Sequence, residues 1–148
     1  MPFRFSLETV LRYRRVVERR RELELQQAIA QLRAVEQQIL SLERQARQVG
    51  EEGLRALESG VRGAQLHWDA EFRVRLVRQG RELEKEWQHL DLVRAEKQQA
   101  FQKAYREREA VEVLRHDQAR LHQQHELRQE QRRLDDQFLL RREHLRRQ

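Results

Sequence analysis

The chain has 148 residues, of which 38% are charged and 38% hydrophobic, with 6% aromatic residues, one proline, five glycines and a formal net charge of +6. That balance suits long helices rather than a compact α/β core. With no cysteine, disulfide frameworks, thiolate metal sites and cysteine nucleophiles are excluded. No run approaches eighteen apolar residues and the start is too charged for a secretory signal, so a soluble, intracellular protein is expected.

The opening MPFRFSLETVLRYRRVVERRRE combines Phe3, Phe5, Leu7, Val10 and Leu11, which need burial, with seven arginines that need water or an anion. Ser6 is the expected N-cap of a first helix running from about residue 6 to 58, with Glu8 favourably placed in its first turn. Along this helix Leu25, Ala28, Leu32, Val35, Ile39, Leu42, Ala46 and Val49 alternate by three and four, an unbroken coiled-coil seam. Gly50, Gly53, Gly60 and Gly63 then cluster, and Ser59-Gly60-Val61-Arg62-Gly63 is the expected turn at about 59–64, reversing near residue 61.

A second helix is expected from about 65 to 146. Its looser seam reads Phe72, Leu76, Leu83, Leu90, Val93, Ala104, Val111, Leu114 and Leu121, with Gln79, Lys97, Glu107 and Gln118 in seam slots. Gly80 reads as a local weakness costing about 1 kcal/mol against alanine. Trp68 and Trp87 flank this seam, either as packing near the turn or as a partner-binding edge. Beyond Leu121 the phase slips to Leu127, Leu134, Phe138 and Leu145, which suggests a change of partner or supercoil.

These elements predict an all-α fold: one long, monomeric two-helix antiparallel coiled-coil hairpin. The helices would be roughly 80 and 120 Å long at 1.5 Å per residue. Folding back near residue 61 sets Leu11 beside about Val111 and leaves roughly the last 25 residues as an overhang. Charge is sorted along the chain. Residues 1–25 hold seven arginines and four glutamates, 26–114 are balanced at fifteen and fifteen, and 115–148 hold nine arginines and six acids. The hairpin would gather the excess at one tip. Twenty-eight of the thirty-one basic residues are arginine, which pairs bidentately with carboxylate or phosphate, although GC-rich coding produces the same bias.

His122 and His125, with His116 upstream, have the spacing of a metal pair, but HQQHE matches no zinc-peptidase pattern. Glycine-rich phosphate loops are absent, as is any catalytic constellation. No enzyme, cofactor or metal is expected. Nucleic-acid binding draws on a pI near 10.6 but lacks stacking aromatics and a basic block before a zipper.

Phe3-Arg4-Phe5, Leu7-Glu8-Thr9-Val10-Leu11 and Tyr13-Arg14-Arg15 together resemble the opening of the flagellar FliJ family, the small coiled-coil component of the bacterial flagellar type III export apparatus. The resemblance implies a non-enzymatic central stalk of the hexameric export ATPase that promotes ring assembly and links the ring to the membrane export gate and to export chaperones. It also implies a cytoplasmic location, peripheral at the inner membrane through the gate. Phe3, Phe5 and Leu7 would pack near Leu114 and Leu121, while Arg12, Arg14, Arg15, Arg19 and Arg20 face the ring. Gln38, Leu42, Phe72 and Leu76 match the family's gate contacts by position, with Gln45 and Val49 where its tyrosines are expected; Leu42, Phe72 and Leu76 also serve the seam. The competing readings are a generic coiled-coil scaffold or dimerisation module with no ATPase partner and a weak nucleic-acid binder.

Overall fold

The computed structural model describes residues 1–60 and 62–147; the expected point of reversal, Val61, lies outside them. Two helices account for nearly all of this, α1 over Glu8–Ser59 and α2 over Gly63–Arg146, giving an all-α helical hairpin. The α1 helix starts later than Ser6 implied. The first intrahelical bond runs from the Leu11 amide to the Leu7 carbonyl, and Glu8 N–H donates to the Phe5 carbonyl in a preceding turn. Leu7 therefore holds the capping slot and Ser6 sits one residue outside it. At the other end Gly60 adopts φ +79°, a left-handed conformation that favours glycine.

The chain divides into two compact units, one of Met1–Glu18 with Lys103–Gln148 and one of Arg19–Gln102. In the second unit the α1 seam follows the sequence closely. Ala28, Leu32, Val35 and Leu42 are buried, Leu25, Ile39 and Val49 half-buried, and only Ala46 is exposed. The expected register also holds in this unit: Glu24 pairs with Lys97 across 3.6 Å, Trp87 Nε1 donates to Glu36 Oε1 at 3.1 Å, and Gly80 lies opposite Leu42.

The α2 seam differs from expectation. Its first heptad position is as read, with Leu76, Leu83, Leu90 and Lys97 buried or half-buried; at the second, Val93 is half-buried as read, but the residues one later are half-buried as well. Gly80, Trp87, Arg94 and Phe101 face α1, whereas Phe72 and Gln79 are exposed. A search for aliphatic residues misses this face because it is filled by a glycine, two aromatics and an arginine, whose long stem can cover apolar surface while its head stays wet. Trp87 is thus a seam residue, while Trp68 is 70% exposed.

Gly80 is a packing residue as well as a weak helix former. A Cβ there would stand 3.3 Å from Leu42 Cδ2, beside a groove of about 290 Å³ lined by Leu42, Leu76, Val77 and Gly80, among others. Because the methyl can retreat into that groove, Gly80→Ala is expected to stabilise the hairpin by about 0.5 kcal/mol, the helix gain outweighing the crowding. A fall in melting temperature would show that the close approach is rigid.

In the first unit Phe5, Leu11 and Ala104 are buried, and Leu11 is the one large side chain among the described residues with no exposure. Glu107 is half-buried as expected and meets Arg14, but farther along the α2 face runs one residue later than expected, through Arg115 and His122 rather than Leu114 and Leu121, with Arg108 half-buried beside Glu107. Leu7, Leu114 and Leu121 are exposed, so they do not form the expected hydrophobic cluster. Phe3 instead packs against His122, with ring centroids 5.7 Å apart and the rings tilted by 42°.

The α2 helix continues past these contacts, and residues 123–147 are all exposed. An unpacked helical segment lacks the burial that stabilises most helices. Amide exchange in the dilute protein is therefore expected to be fastest beyond residue 122, and protection there equal to that at Leu11 would contradict it.

Candidate functional site

The first unit concentrates charge. It holds sixteen basic and eleven acidic residues, so five of the six excess positive charges belong to it. Cross-helix ion pairs fix part of this charge in place: Glu8 with Arg115 at 3.3 Å, Arg14 with Glu107 at 2.5 Å, Arg15 with Glu112 at 2.8 Å and Glu18 with Arg108 at 2.5 Å. Arg108 also bonds Glu112, making a four-residue network with Arg15 and Glu18. Met1 closes the series, its amine 3.2 Å from Glu126 and its carbonyl 3.0 Å from His122 Nε2.

The seam explains this network. In α1 the three-four alternation passes from Leu11 through Arg14, Glu18 and Arg21 to Leu25, so three successive layers are polar and half-buried. Arg108 and Glu18 are only 17% and 19% exposed, and each supplies the other's counter-charge. Such a layer adds little net stability but fixes which partner residues may meet.

The proposed contact arginines fall into three groups. Arg14 and Arg15 bridge to α2; Arg19 and Arg20 pair along α1 with Glu22 and Glu24; Arg12 is exposed with no ion pair among the described residues. Beside them Val10, Tyr13 and Val16 are 39%, 63% and 67% exposed, an apolar strip on the outer side of α1. Val10 and the Tyr13 position belong to the opening motif, but their exposure was not legible, because each is as suitable for a core as for a surface.

In the second unit Leu42 and Leu76 are seam residues at 9% and 6% exposure, lining the groove beside Gly80, while Phe72 and Gln38 are exposed. These four residues therefore divide into two that pack the hairpin and two that present a surface.

Hydrogen bonds from Arg15 and then Arg108 hold the Glu112 carboxyl below the ordinary carboxylate range; Arg21 does the same for Glu24, and the terminal ammonium for Glu126. The Arg108 guanidinium, bonded by Glu18 and Glu112, is pushed further upward. A lowered carboxyl pKa means that the folded state binds fewer protons than the unfolded one. The pairing then stabilises above the ordinary value of about 4.3 and is lost as pH falls through the lowered one. Acidification from pH 7 to pH 3 at low salt is expected to lower the melting temperature, and Glu112→Gln to remove part of that fall. A variant whose melting temperature drops as far as the parent's would rule out Glu112 as a contributor.

Among the described residues no group of three or more His, Asp or Glu side chains is placed to hold a metal ion, and no helix is long and apolar enough to cross a membrane. His122 is occupied by Phe3, Met1 and Glu126. Comparison with curated proteins and with solved structures found no match. The family model described as flagellar FliJ protein matches residues 3–148, from the aromatic entry to the end of the overhang. With that match over essentially the whole helical hairpin, the chain belongs to the flagellar FliJ family and is a component of the flagellar export apparatus.

Proposed function

We propose that the Met1–Glu18 and Lys103–Gln148 unit is the part of the chain that engages the hexameric flagellar export ATPase, acting as a stalk in the ring and promoting its assembly without itself catalysing a reaction. The observation that carries this reading is the coincidence in one unit of five excess positive charges with the exposed strip Val10, Tyr13 and Val16. Charge of one sign steers encounter with an acidic pore, and exposed aromatic and aliphatic groups supply contact once there.

The Arg19–Gln102 unit is assigned to the export gate. Phe72 and Gln38 offer exposed side chains there, while Leu42 and Leu76 shape the groove from within the seam. Export chaperones are further partners on the strength of the family, and the gate contact would hold the protein at the cytoplasmic face of the inner membrane. No specific nucleic acid is needed by this reading: basic groups in the first unit are interleaved with acids rather than forming a block.

The direct test is reconstitution of the purified export ATPase with this chain. Salt-sensitive binding and a rise in ring assembly and hydrolysis are expected. Absence of binding at low ionic strength would leave the generic scaffold as the better account.

A further inference from the structure

The exposed end of α2 carries an ordered coiled-coil stripe. Leu127, Leu134, Phe138 and Leu145 are 60%, 60%, 67% and 72% exposed. With Gln131 and Arg141 between them they alternate by four and three, so all six lie in one narrow band of the helix. The band is not a continuation of the seam with α1. His122 and Glu126, which meet Phe3 and Met1, point about a third of a turn away from it. A stripe this narrow, flanked by charges of both signs, suits another helix better than a lipid surface.

We propose that a second copy of the chain closes this stripe, running antiparallel, with Leu127 of each copy against Phe138 of the other and Leu134 against Gln131. Charge selects both orientation and register. One flank of the stripe reads Arg128, Asp135, Arg142 and the other Glu130, Gln137, His144. Parallel copies would set Glu130 beside Asp135 twice, a like-charge contact. Antiparallel copies turn each flank against itself, and the Leu127–Phe138 register brings Arg128 opposite Asp135 twice. Sliding by one heptad to match Leu127 with Leu145 would instead oppose Asp135 to Asp135 and Arg128 to Arg142. Flanking charges of this kind set partner and orientation in coiled coils.

The overlap spans only about three heptads and is small beside a standard protein interface, so association is weak and reversible. The hairpin itself remains complete within one chain. The stripe lies in the same unit as the proposed ATPase contact but is distinct from the Arg12, Arg14 and Arg15 side chains and the Val10, Tyr13 and Val16 strip, so separate variants test the two.

Sedimentation equilibrium of the full chain at low salt, from about 10 μM to 1 mM, is expected to show the mass rising from 18.2 kDa toward twice that value. Arg128→Asp and Asp135→Arg should each raise the dissociation constant about tenfold, and the combined variant should recover most of the loss. The two residues are seven apart, about 10 Å along one helix, so recovery cannot arise within a chain. Circular dichroism of each variant checks that the helix persists. A mass that stays at one chain throughout the range overturns the proposal. So does a combined variant no tighter than the weaker single one, or association that survives Phe138→Glu.

Discussion

Replacing Leu11 by alanine is expected to destabilise the Met1–Glu18 and Lys103–Gln148 unit by about 2–4 kcal/mol, the usual cost of truncating an enclosed leucine. Leu11 has 0% exposure, and the next α1 seam positions, Arg14, Glu18 and Arg21, are polar. Among the described residues Phe5 and Ala104 are the other buried hydrophobics in this unit, so little apolar contact remains to compensate. Amide exchange over residues 8–18 and 104–115 should accelerate, and the thermal transition should move down. Val16→Ala, at a site 67% exposed, should stay within about 0.5 kcal/mol of the parent. A Leu11→Ala protein as stable as Val16→Ala would mean that the ionic network, rather than the apolar contact, holds this unit closed.

The largest functional effect is expected from the combined change of Arg12, Arg14, Arg15 and Arg19 to glutamine. Affinity for the export ATPase ring at low salt should fall about tenfold or more, mainly through slower association. The same number of arginines changed at Arg33, Arg44, Arg47 and Arg55 should matter far less. Those four are exposed, make no ion pair among the described residues and all lie in the Arg19–Gln102 unit, whereas Arg12, Arg14 and Arg15 lie in the other and Arg19 is at the boundary, so the control removes equal charge from farther along α1. The structure adds a distinction within the first set. Arg14 and Arg15 bridge to Glu107 and Glu112, whereas Arg12 has no ion pair among the described residues and Arg19 is bound along its own helix. Arg14→Gln with Arg15→Gln should therefore lower the melting temperature slightly, by the small worth of part-exposed pairs, while Arg12→Gln should lower binding alone. Equal loss of ATPase binding from the tip and control quadruples would assign the effect to total charge and remove the main support for a stalk surface.

Much of this protein was written in its pattern of residues. The strict three-four alternation from Leu25 to Val49 can bury one face only as a helix against another helix, and the glycine cluster before Gly63 leaves one place for the chain to turn. From those two features alone the antiparallel register follows to within a few residues, as Glu24 with Lys97 and Glu8 with Arg115 demonstrate. The family, too, was legible in Phe3 to Arg15, and the family match carries it to residue 148.

Which face of α2 closes the hairpin was decided only by tertiary packing. Aliphatic residues stand at Leu114 and Leu121, but Arg108, Arg115 and His122, one heptad position over, meet α1 because Glu18, Glu8 and the chain start supply partners for their polar ends. A search for apolar periodicity has no means of weighing an arginine stem held by a facing carboxylate against a leucine left in water. The same blindness hid Trp87 and Gly80 in the seam. It also made Arg14 and Arg15 look like free surface charge, when folding brings Glu107 and Glu112 to them from more than ninety residues away. Local sequence sets the period of a helix, but the partner that arrives across the hairpin determines which side of that period is inside.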